Sequence, residues 1–367
     1  MLRAEAEAYR SRVRGSLLGG AIGDALGAPV EFLNVAAIQA AHGTVRRFLP
    51  HPDGAAPGTV TDDTQMTLYT ADGLVRAGIR RDRGLGLTVA VVHSAYDRWL
   101  DTQLLPGPPA GAGWLDAHAW LYARRAPGLT CLEALTAARG GAPRIRQYGG
   151  QAANGSKGCG GVMRVAPFGL LPPGGAPEHW YFDAAAEAAG YTHGHPTGKL
   201  AAGALAMIVH RLVAGDELYR ALDVTIDLLA LRNDTETVTA LRAARVLARG
   251  AQPAVAAVES LGGGWVAEEA LAIAVYAALT APAPEQFLDA LETAVTHSGD
   301  SDSTGAICGN ILGAWHGETV LPPELVFAVE GRGTILELAD DLVLEFTQPE
   351  RLHGEYLPET GWRQRYS

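Results

Sequence analysis

The sequence of 367 residues has few cysteines, few basic residues and no long hydrophobic run. Its three cysteines, Cys131, Cys159 and Cys308, form no Cys-x-x-Cys pair, which argues against a disulfide framework and favours reduced thiols. Lys and Arg number 29 against 40 Asp and Glu, so the broad basic face that binds nucleic acid is not expected. No apolar run reaches the roughly 18 residues of a membrane span, and the N-terminus does not have the pattern of a signal peptide. We therefore expect a soluble, cytoplasmic protein without a nucleic-acid or membrane partner.

Alternating strand patterns are also scarce, and the best of them, residues 44–50, is short. Apolar residues recur instead at helical spacing; the clearest stretches are 87–100, 198–215, 241–250, 271–279 and 335–346. We predict an all-α fold, a compact single-domain orthogonal helical bundle over residues 1–367. A two-domain chain that divides near residues 140–180 is the alternative.

Two short stretches, more than two hundred residues apart, each open an apolar helix with crowded carboxylates and hydroxyls. TDDT contains Asp62 and Asp63, and GDSDST contains Asp300 and Asp302. Such residues cap helices, but one cap needs only one of them. Adjacent carboxylates oppose burial unless a cation compensates them, and hard cations such as Mg²⁺ or Mn²⁺ prefer oxygen ligands. Since four aspartates are more than one Mg²⁺ usually takes from a protein, we predict a two-metal site.

A glycine-rich stretch near the N-terminus, GSLLGGAIGDALGAPVEF (15–32), has glycines at helical spacing that suit close helix packing. Pro29 is expected to end this helix and to leave Glu31 in the loop beyond it. A carboxylate in that position beside a metal pair is well placed for proton transfer. For Asp24 we favour a structural hydrogen bond over catalysis.

A second glycine-rich stretch, NGSKGCGGVMRVAP (154–167), would allow backbone amides to approach a phosphate. Lys157 or Arg164 would then offset negative charge, although a plain turn is the simpler interpretation. His193 and His195 in THGHPTG are either metal ligands or, more simply, hydrogen-bonding groups. Trp265 is most simply a core residue, with base stacking as the alternative.

Five motifs in order carry a resemblance to a known family: GDALGAPVEF, TDDTQMTL, GCGGVMRVAP, THGHPTG and GDSDSTGAICGN. Together they resemble the ADP-ribosylglycohydrolase family, including its ADP-ribosylarginine hydrolase and dinitrogenase reductase-activating glycohydrolase branches. The resemblance runs from about residue 12 to about residue 316 and leaves 317–367 as a C-terminal helical extension. It implies one all-α domain with two Mg²⁺ or Mn²⁺ ions in a central cleft.

The resemblance also implies roles for individual residues. The metal ligands would be Thr61, Asp62, Asp63, Asp300, Asp302 and Ser303. Glu31 matches a glutamate that the family keeps near the metals on a movable loop, and it would be catalytic. The substrate-binding residues would be Gly158, Cys159, Gly160, Gly161, Met163 and His193.

The function that the resemblance implies is metal-dependent removal of ADP-ribose from modified protein side chains. The pairing of GDSDSTG with GCGGVMR and HPTG resembles the arginine-directed branch most closely, so N-linked ADP-ribosyl-arginine is the favoured substrate. Serine-linked ADP-ribose, small ADP-ribose conjugates and a non-catalytic ADP-ribose-binding relative are the alternatives.

Overall fold

The computed structural model describes residues 3–140, 148–252, 254–347 and 363–366. Within these ranges the regular secondary structure is helical and contains no β-strand, so the all-α prediction is confirmed. The α-helices are α1 (Arg3–Gly27), α2 (Val35–His42), α3 (Asp62–Asp82), α4 (Ala90–Leu104), α5 (Leu129–Arg139), α6 (Ala166–Gly169), α7 (Glu178–Gly190), α8 (Pro196–Val213), α9 (Leu218–Leu231), α10 (Thr235–Leu247), α11 (Ala254–Leu261), α12 (Ala267–Thr280), α13 (Phe287–Val295), α14 (Ser301–His316), α15 (Pro323–Ala328) and α16 (Arg332–Thr347).

The five stretches with helical periodicity correspond to α4, α8, α10, α12 and α16. Their apolar stripes face the core; in the first stretch Val92, Tyr96 and Trp99 are all fully buried. The segment of residues 44–50, which has the short alternating pattern, has no regular structure. Its apolar residues Val45 and Leu49 are nevertheless buried, so the pattern recorded burial and not strand pairing.

Glycines hold α1 and α14 in backbone contact, as the helical spacing of the N-terminal glycines predicts. A Cβ on Gly19 would lie 2.5 Å from the carbonyl oxygen of Gly309, and one on Gly27 would lie 2.1 Å from that of Ser301. At the other end of α1, a Cβ on Gly15 would lie 2.5 Å from the carbonyl carbon of Gly317. The two helices therefore run antiparallel, and the end of α1 meets the beginning of α14.

Helices from both sides of residues 140–180 share one core, since α3 packs against α1, α4, α6 and α16. Helix α16, in the predicted C-terminal extension, also packs against α1. Residues 348–362 of that extension, and residues 141–147 of the alternative division, lie outside the described residues. The domain boundaries thus stay a prediction.

Within the described ranges no single helix is long and apolar enough to cross a membrane. One pair of helical segments, Ala4–Val30 and Val35–His42, would together be long and apolar enough, but the two are bent by 95° and meet the criterion by length and composition only.

Candidate active site

The beginning of α3 is fixed in place by a carboxylate from α1. Asp24 accepts hydrogen bonds from the backbone amides of Thr61 (3.0 Å) and Thr64 (3.1 Å), and from the Thr64 hydroxyl. The hydroxyl of Thr61 caps the helix by accepting a bond from the Asp63 amide (3.3 Å). Asp24 therefore has the structural role that the sequence favoured, and it satisfies amides that a helix N-terminus leaves without partners.

The beginning of α14 is held in a similar way. Asp300 caps the helix by accepting a bond from the Ser303 amide (3.4 Å), and its own amide donates to the carbonyl of Gly263 (2.9 Å). The Cys159 thiol donates to the second carboxylate oxygen of Asp300 (2.7 Å). In the first turn, Asp302 accepts a bond from the same Ser303 amide (3.0 Å).

These two helix ends and the segment after α1 bring six carboxylates to one buried place. Glu31, Asp300 and Asp302 each contribute an oxygen, and the three oxygens lie within 4.8 Å of one another. Asp24, Asp62 and Asp63 lie close enough to Asp302 for its charge to act on each of them. We call these six residues the acidic cluster: Asp24, Glu31, Asp62, Asp63, Asp300 and Asp302, all of them buried.

Burial raises the pKa values of four members of this cluster, and the charge of Asp302 is the second-largest cause. The pKa of Asp24 rises to about 7 and that of Glu31 to about 10, and the pKa values of Asp62 and Asp63 also rise well above their ordinary range. Among the residues that the structure describes, no Lys, Arg or His forms an ion pair with any member of the cluster. The part of the chain that the structure describes thus supplies no ion-paired positive charge for these carboxylates.

The donor atoms of the acidic cluster fit a hard divalent cation. Carboxylate and hydroxyl oxygens converge there, and the buried Oδ1 of Asp63 has no hydrogen-bond partner among the described residues. A buried carboxylate oxygen without a partner is costly unless a proton or a cation compensates its charge. Of the residues implied as ligands, Asp62 and Asp63 lie within electrostatic reach of Asp302, and Asp300 and Asp302 each have an oxygen within 4.8 Å of one from Glu31. The assignment of individual ligands and the number of ions stay predictions.

The predicted substrate loop forms one wall beside the cluster. Cys159–Gly161 is a short 3-10 turn, and a single antiparallel bridge links Gly158 to Val266. Met163 is buried below it, and its sulfur accepts a bond from the Ser303 hydroxyl (3.8 Å). The loop therefore touches α14 at a predicted metal ligand.

His193 supports this loop from behind. A Cβ on Gly160 would lie 3.1 Å from its imidazole, and a Cβ on Gly158 or Gly161 would lie 3.4 Å from it. Burial, and secondarily the charge of Arg164, lowers the pKa of His193 to about 3, so the ring is neutral. Its contact with substrate stays a prediction, whereas His195 is a hydrogen-bonding group that caps α8 through the Thr197 amide (3.2 Å).

The two cations proposed to balance a phosphate are engaged elsewhere, and this expectation is wrong. Arg164 is fully buried; it donates to the carbonyl of Gly160 (2.8 Å) and the hydroxyl of Thr192 (2.6 Å) and stacks over the Tyr96 ring. Lys157 forms ion pairs with Glu236 and Glu268. Arg164 therefore braces the loop, and the charge of Lys157 is already matched.

The interpretation of Trp265 as a core residue is also wrong. Its side chain is 46% exposed and stacks on Phe32, which is 75% exposed and follows Glu31 directly. The backbone of Trp265 forms part of the site wall, since its carbonyl accepts a bond from the Cys159 amide (3.1 Å). An isolated tryptophan in an apolar stretch gives no signal of this placement.

Two backbone contributions were not recognised from the sequence. Gly128 donates its amide to Asp62 (3.3 Å), and the Gly263 carbonyl holds the beginning of α14. The Gly263 contribution had a sequence signal, the run of three glycines at 262–264, in which Gly262 and Gly264 have φ values of 120° and 76°. Such positive φ values favour glycine. The Gly128 contribution had no sequence signal, because any non-proline residue supplies a backbone amide.

Comparison with known proteins agrees with the family resemblance of the five sequence motifs. A sequence model described as ADP-ribosylglycohydrolase matches residues 5–351. The chain is 26% identical over 321 residues to the ADP-ribosyl-[dinitrogen reductase] glycohydrolase of Rhodospirillum rubrum, covering 85% of this chain and 87% of that protein. It is 29% identical over 332 residues to the protein YegU of Escherichia coli (strain K12), covering 86% and 90%.

The fold is similar to that of a solved structure titled "ADP-ribosylglycohydrolase-related protein complex". The TM-score is 0.64 at 24% identity, with 93% of this chain and 100% of the other covered. At that identity the likeness concerns the fold alone.

Proposed function

Because the chain belongs to the ADP-ribosylglycohydrolase family, we propose that it hydrolyses the N-glycosidic bond between ADP-ribose and arginine in modified proteins, with two divalent metal ions. Family membership makes it an ADP-ribose-removing hydrolase. The metals, the arginine linkage and the residue roles are the proposed part. The expected cytoplasmic location and the expected lack of a nucleic-acid or membrane partner likewise stay predictions.

The observation that carries the proposal is the acidic cluster. Six carboxylates are buried together without a basic partner among the described residues, an arrangement that opposes folding unless protons or cations compensate the charge. The residues that would hold Mg²⁺ or Mn²⁺ are Thr61, Asp62, Asp63, Asp300, Asp302 and Ser303. When bound, these ions supply positive charge that orients sugar hydroxyls and activates water at neutral pH.

The carboxylates themselves suit the cleavage of a glycosidic bond. The reaction passes through an oxocarbenium-like state with positive charge on the sugar ring, and nearby buried carboxylates stabilise that charge. Glu31 is the member of the cluster proposed to move a proton; it directly follows the 3-10 turn Ala28–Val30, on the segment between α1 and α2. It exchanges a proton at its carboxyl group either with the attacking water or with the leaving nitrogen.

The loop Gly158–Gly161 is proposed to hold the diphosphate. Its close approach to His193 and its link to Val266 fix its shape, so its backbone is preorganised. Because Lys157 and Arg164 are engaged elsewhere, the diphosphate charge would be met by backbone dipoles and by the bound cations.

A protein substrate is supported by the Rhodospirillum rubrum relative, whose name gives ADP-ribosyl-dinitrogen reductase as its substrate. The choice of arginine rests on the motifs GDSDSTG, GCGGVMR and HPTG.

The test is incubation of the purified protein with arginine-ADP-ribosylated and serine-ADP-ribosylated proteins, with Mg²⁺, Mn²⁺ or EDTA, while free ADP-ribose is measured. We expect metal-dependent release from arginine and none in EDTA. Glu31→Gln should lower the rate strongly, whereas the exposed control Glu324→Gln should not.

The outcomes separate the alternatives. Release from serine alone would keep the hydrolase and overturn the arginine linkage. Release that EDTA does not affect would remove the metals from the proposal. No release from either protein, together with unimpaired ADP-ribose binding by Asp302→Asn, would leave a recognition module.

A further inference from the structure

Two large aromatic side chains stack at the protein surface directly beside the acidic cluster. Phe32 and Trp265 have ring centroids 5.8 Å apart and an interplanar angle of 25°, which is a favourable offset-stacked geometry. Each remains largely exposed, so burial alone does not explain the pair. The predicted core role of Trp265 is wrong, and neither ring is used in the proposed function.

Trp265 belongs to a part of the backbone that is tied to two walls of the site. Its carbonyl accepts a bond from the Cys159 amide (3.1 Å), and the next residue, Val266, bridges to Gly158. Two residues earlier, the Gly263 carbonyl accepts the amide of Asp300 (2.9 Å). The backbone that carries the indole is therefore held by hydrogen bonds on both sides.

Phe32 belongs to the segment that carries Glu31. Glu31 is only 7% exposed while the next residue is 75% exposed, so the chain turns from the cluster to solvent within one residue. The segment is held at its ends, by a turn from the Leu33 amide to the Val30 carbonyl (2.9 Å) and by the Val35 amide on the Ser298 hydroxyl (2.9 Å). The Phe32 ring itself touches the fixed wall at Trp265.

No ion pair holds Glu31 in its inward position, since among the described residues no basic side chain pairs with it. One of its carboxyl oxygens lies within 4.8 Å of an oxygen of Asp300 and one of Asp302. The aromatic stack is a contact outside the cluster that acts on the adjacent residue and involves no charge.

We propose that Phe32 and Trp265 form an aromatic latch, a stacked pair that keeps the Glu31 segment closed against the acidic cluster. Both are positioning residues that act through Glu31. The consequence for catalysis rests on the proposed function, whereas the latch itself is a property of the fold.

The latch is tested by Phe32→Ala, Trp265→Ala and the double variant, with Trp265→Phe as the conservative variant that keeps a stack. Phe327→Ala is the matched control, because Phe327 is also an exposed phenylalanine (74%) and packs on Arg332. Since both latch residues are exposed, the variants should fold, which thermal unfolding verifies.

The first measurement is amide hydrogen exchange of residues 28–36 without substrate, a readout that needs no activity. We expect exchange in this segment to rise roughly 2- to 10-fold in either alanine variant, the effect of one stacked aromatic pair on an equilibrium. The double variant should equal the single ones, because each removes the same contact. Trp265→Phe should restore most of the protection.

The second measurement separates positioning from substrate contact. In the hydrolase assay, we expect kcat to fall by a similar factor with KM little changed. Unchanged exchange in both alanine variants would overturn the latch, even in a fully active enzyme. A raised KM with unchanged kcat and unchanged exchange would also overturn it and make the pair a contact for the substrate. If the protein proves inactive but exchange behaves as expected, the latch stands and the proposed hydrolysis fails.

Discussion

Helix α3 carries buried aspartates in two opposite surroundings. At its beginning, Asp62 and Asp63 face other carboxylates, and no ion pair reaches them among the described residues. Ten residues further along, the carboxylate of Asp72 is equally buried but pairs with Arg76 (2.9 Å) and with Arg98.

The second group extends into a network of matched charges. Arg98 also pairs with Asp116 (3.0 Å), which accepts a bond from the Tyr69 hydroxyl (2.9 Å). Near the end of α3, Asp82 pairs with Arg81 (3.0 Å) and with Arg363 (2.6 Å) from the C-terminal segment.

The difference shows that burial of a carboxylate does not by itself indicate a site. Where the fold provides arginines, the charge is compensated internally and the group has a structural role. Where it provides none, compensation must come from protons or from bound cations. The acidic cluster is a site candidate because its charge is unmatched.

The largest effect is expected from Asp72→Asn. The amide would leave Arg76 without its carboxylate partner and Arg98 with Asp116 alone, and breaking a buried pair costs about 3–5 kcal/mol. Urea unfolding should show this loss of stability, while ADP-ribose release per folded molecule stays near that of wild type. An unchanged midpoint would mean that the arginines do not depend on Asp72.

Asp302→Asn should lower activity and leave stability intact, the converse of Asp72→Asn. We expect ADP-ribose release to fall at least about 100-fold, since loss of even an outer-shell partner of a metal can cost this much. In EDTA the variant should be as stable as wild type or more so, because one charge has left a repulsive cluster. A clear loss of stability in EDTA would contradict the view that the two groups differ.

The pH dependence of stability should distinguish the groups next. The pKa of Asp24 in the folded state is about 7, above its ordinary value of 3.8, so near neutral pH the folded state keeps a proton that the unfolded state has lost. Stability in EDTA should therefore fall as pH rises from 6 to 8, by about 1 kcal/mol from Asp24 alone. Glu31, with a pKa of about 10, acts in the same direction.

Urea unfolding at three pH values, in EDTA and in Mg²⁺, measures this slope. Bound cations favour the ionised carboxylates, so Mg²⁺ should flatten or reverse it. The same slope in both solutions would show that Mg²⁺ does not bind the cluster.

The smallest effect is expected at an exposed carboxylate. Asp289 is half-exposed and pairs with Arg46 (2.8 Å), which also pairs with Glu292. Exposed pairs of this kind contribute below about 1 kcal/mol, so Asp289→Asn should leave stability and ADP-ribose release almost unchanged. A loss as large as that of Asp72→Asn would show that burial is not the deciding variable.

Much of the fold could be predicted because its signals are local. Helical periodicity marked the helices that became α4, α8, α10, α12 and α16, and the glycine spacing of α1 predicted close packing. The resemblance of five motifs to the ADP-ribosylglycohydrolase family is confirmed. The short alternation at 44–50 reflects the burial of Val45 and Leu49 and not a strand.

The candidate site was predictable in composition and less so in detail. Thr61 and Asp300 were expected at helix beginnings, and both are caps. The roles proposed for Lys157 and Arg164 were wrong, because the sequence does not show that Glu236, Glu268 and Thr192 already bind them. Trp265 stacks on Phe32, more than two hundred residues away, a contact that no local pattern could show.

The sequence by itself determined which segments are helical, where two of the helices begin with carboxylates, and which family the chain resembles, because these depend on neighbours along the chain. Only the tertiary structure decided that the acidic residues of α3 divide into a matched and an unmatched group. Pairing of charges is settled by distances of a few ångströms between distant segments, and one helix carries Asp62 into a cluster with no basic partner among the described residues and Asp72 between two arginines.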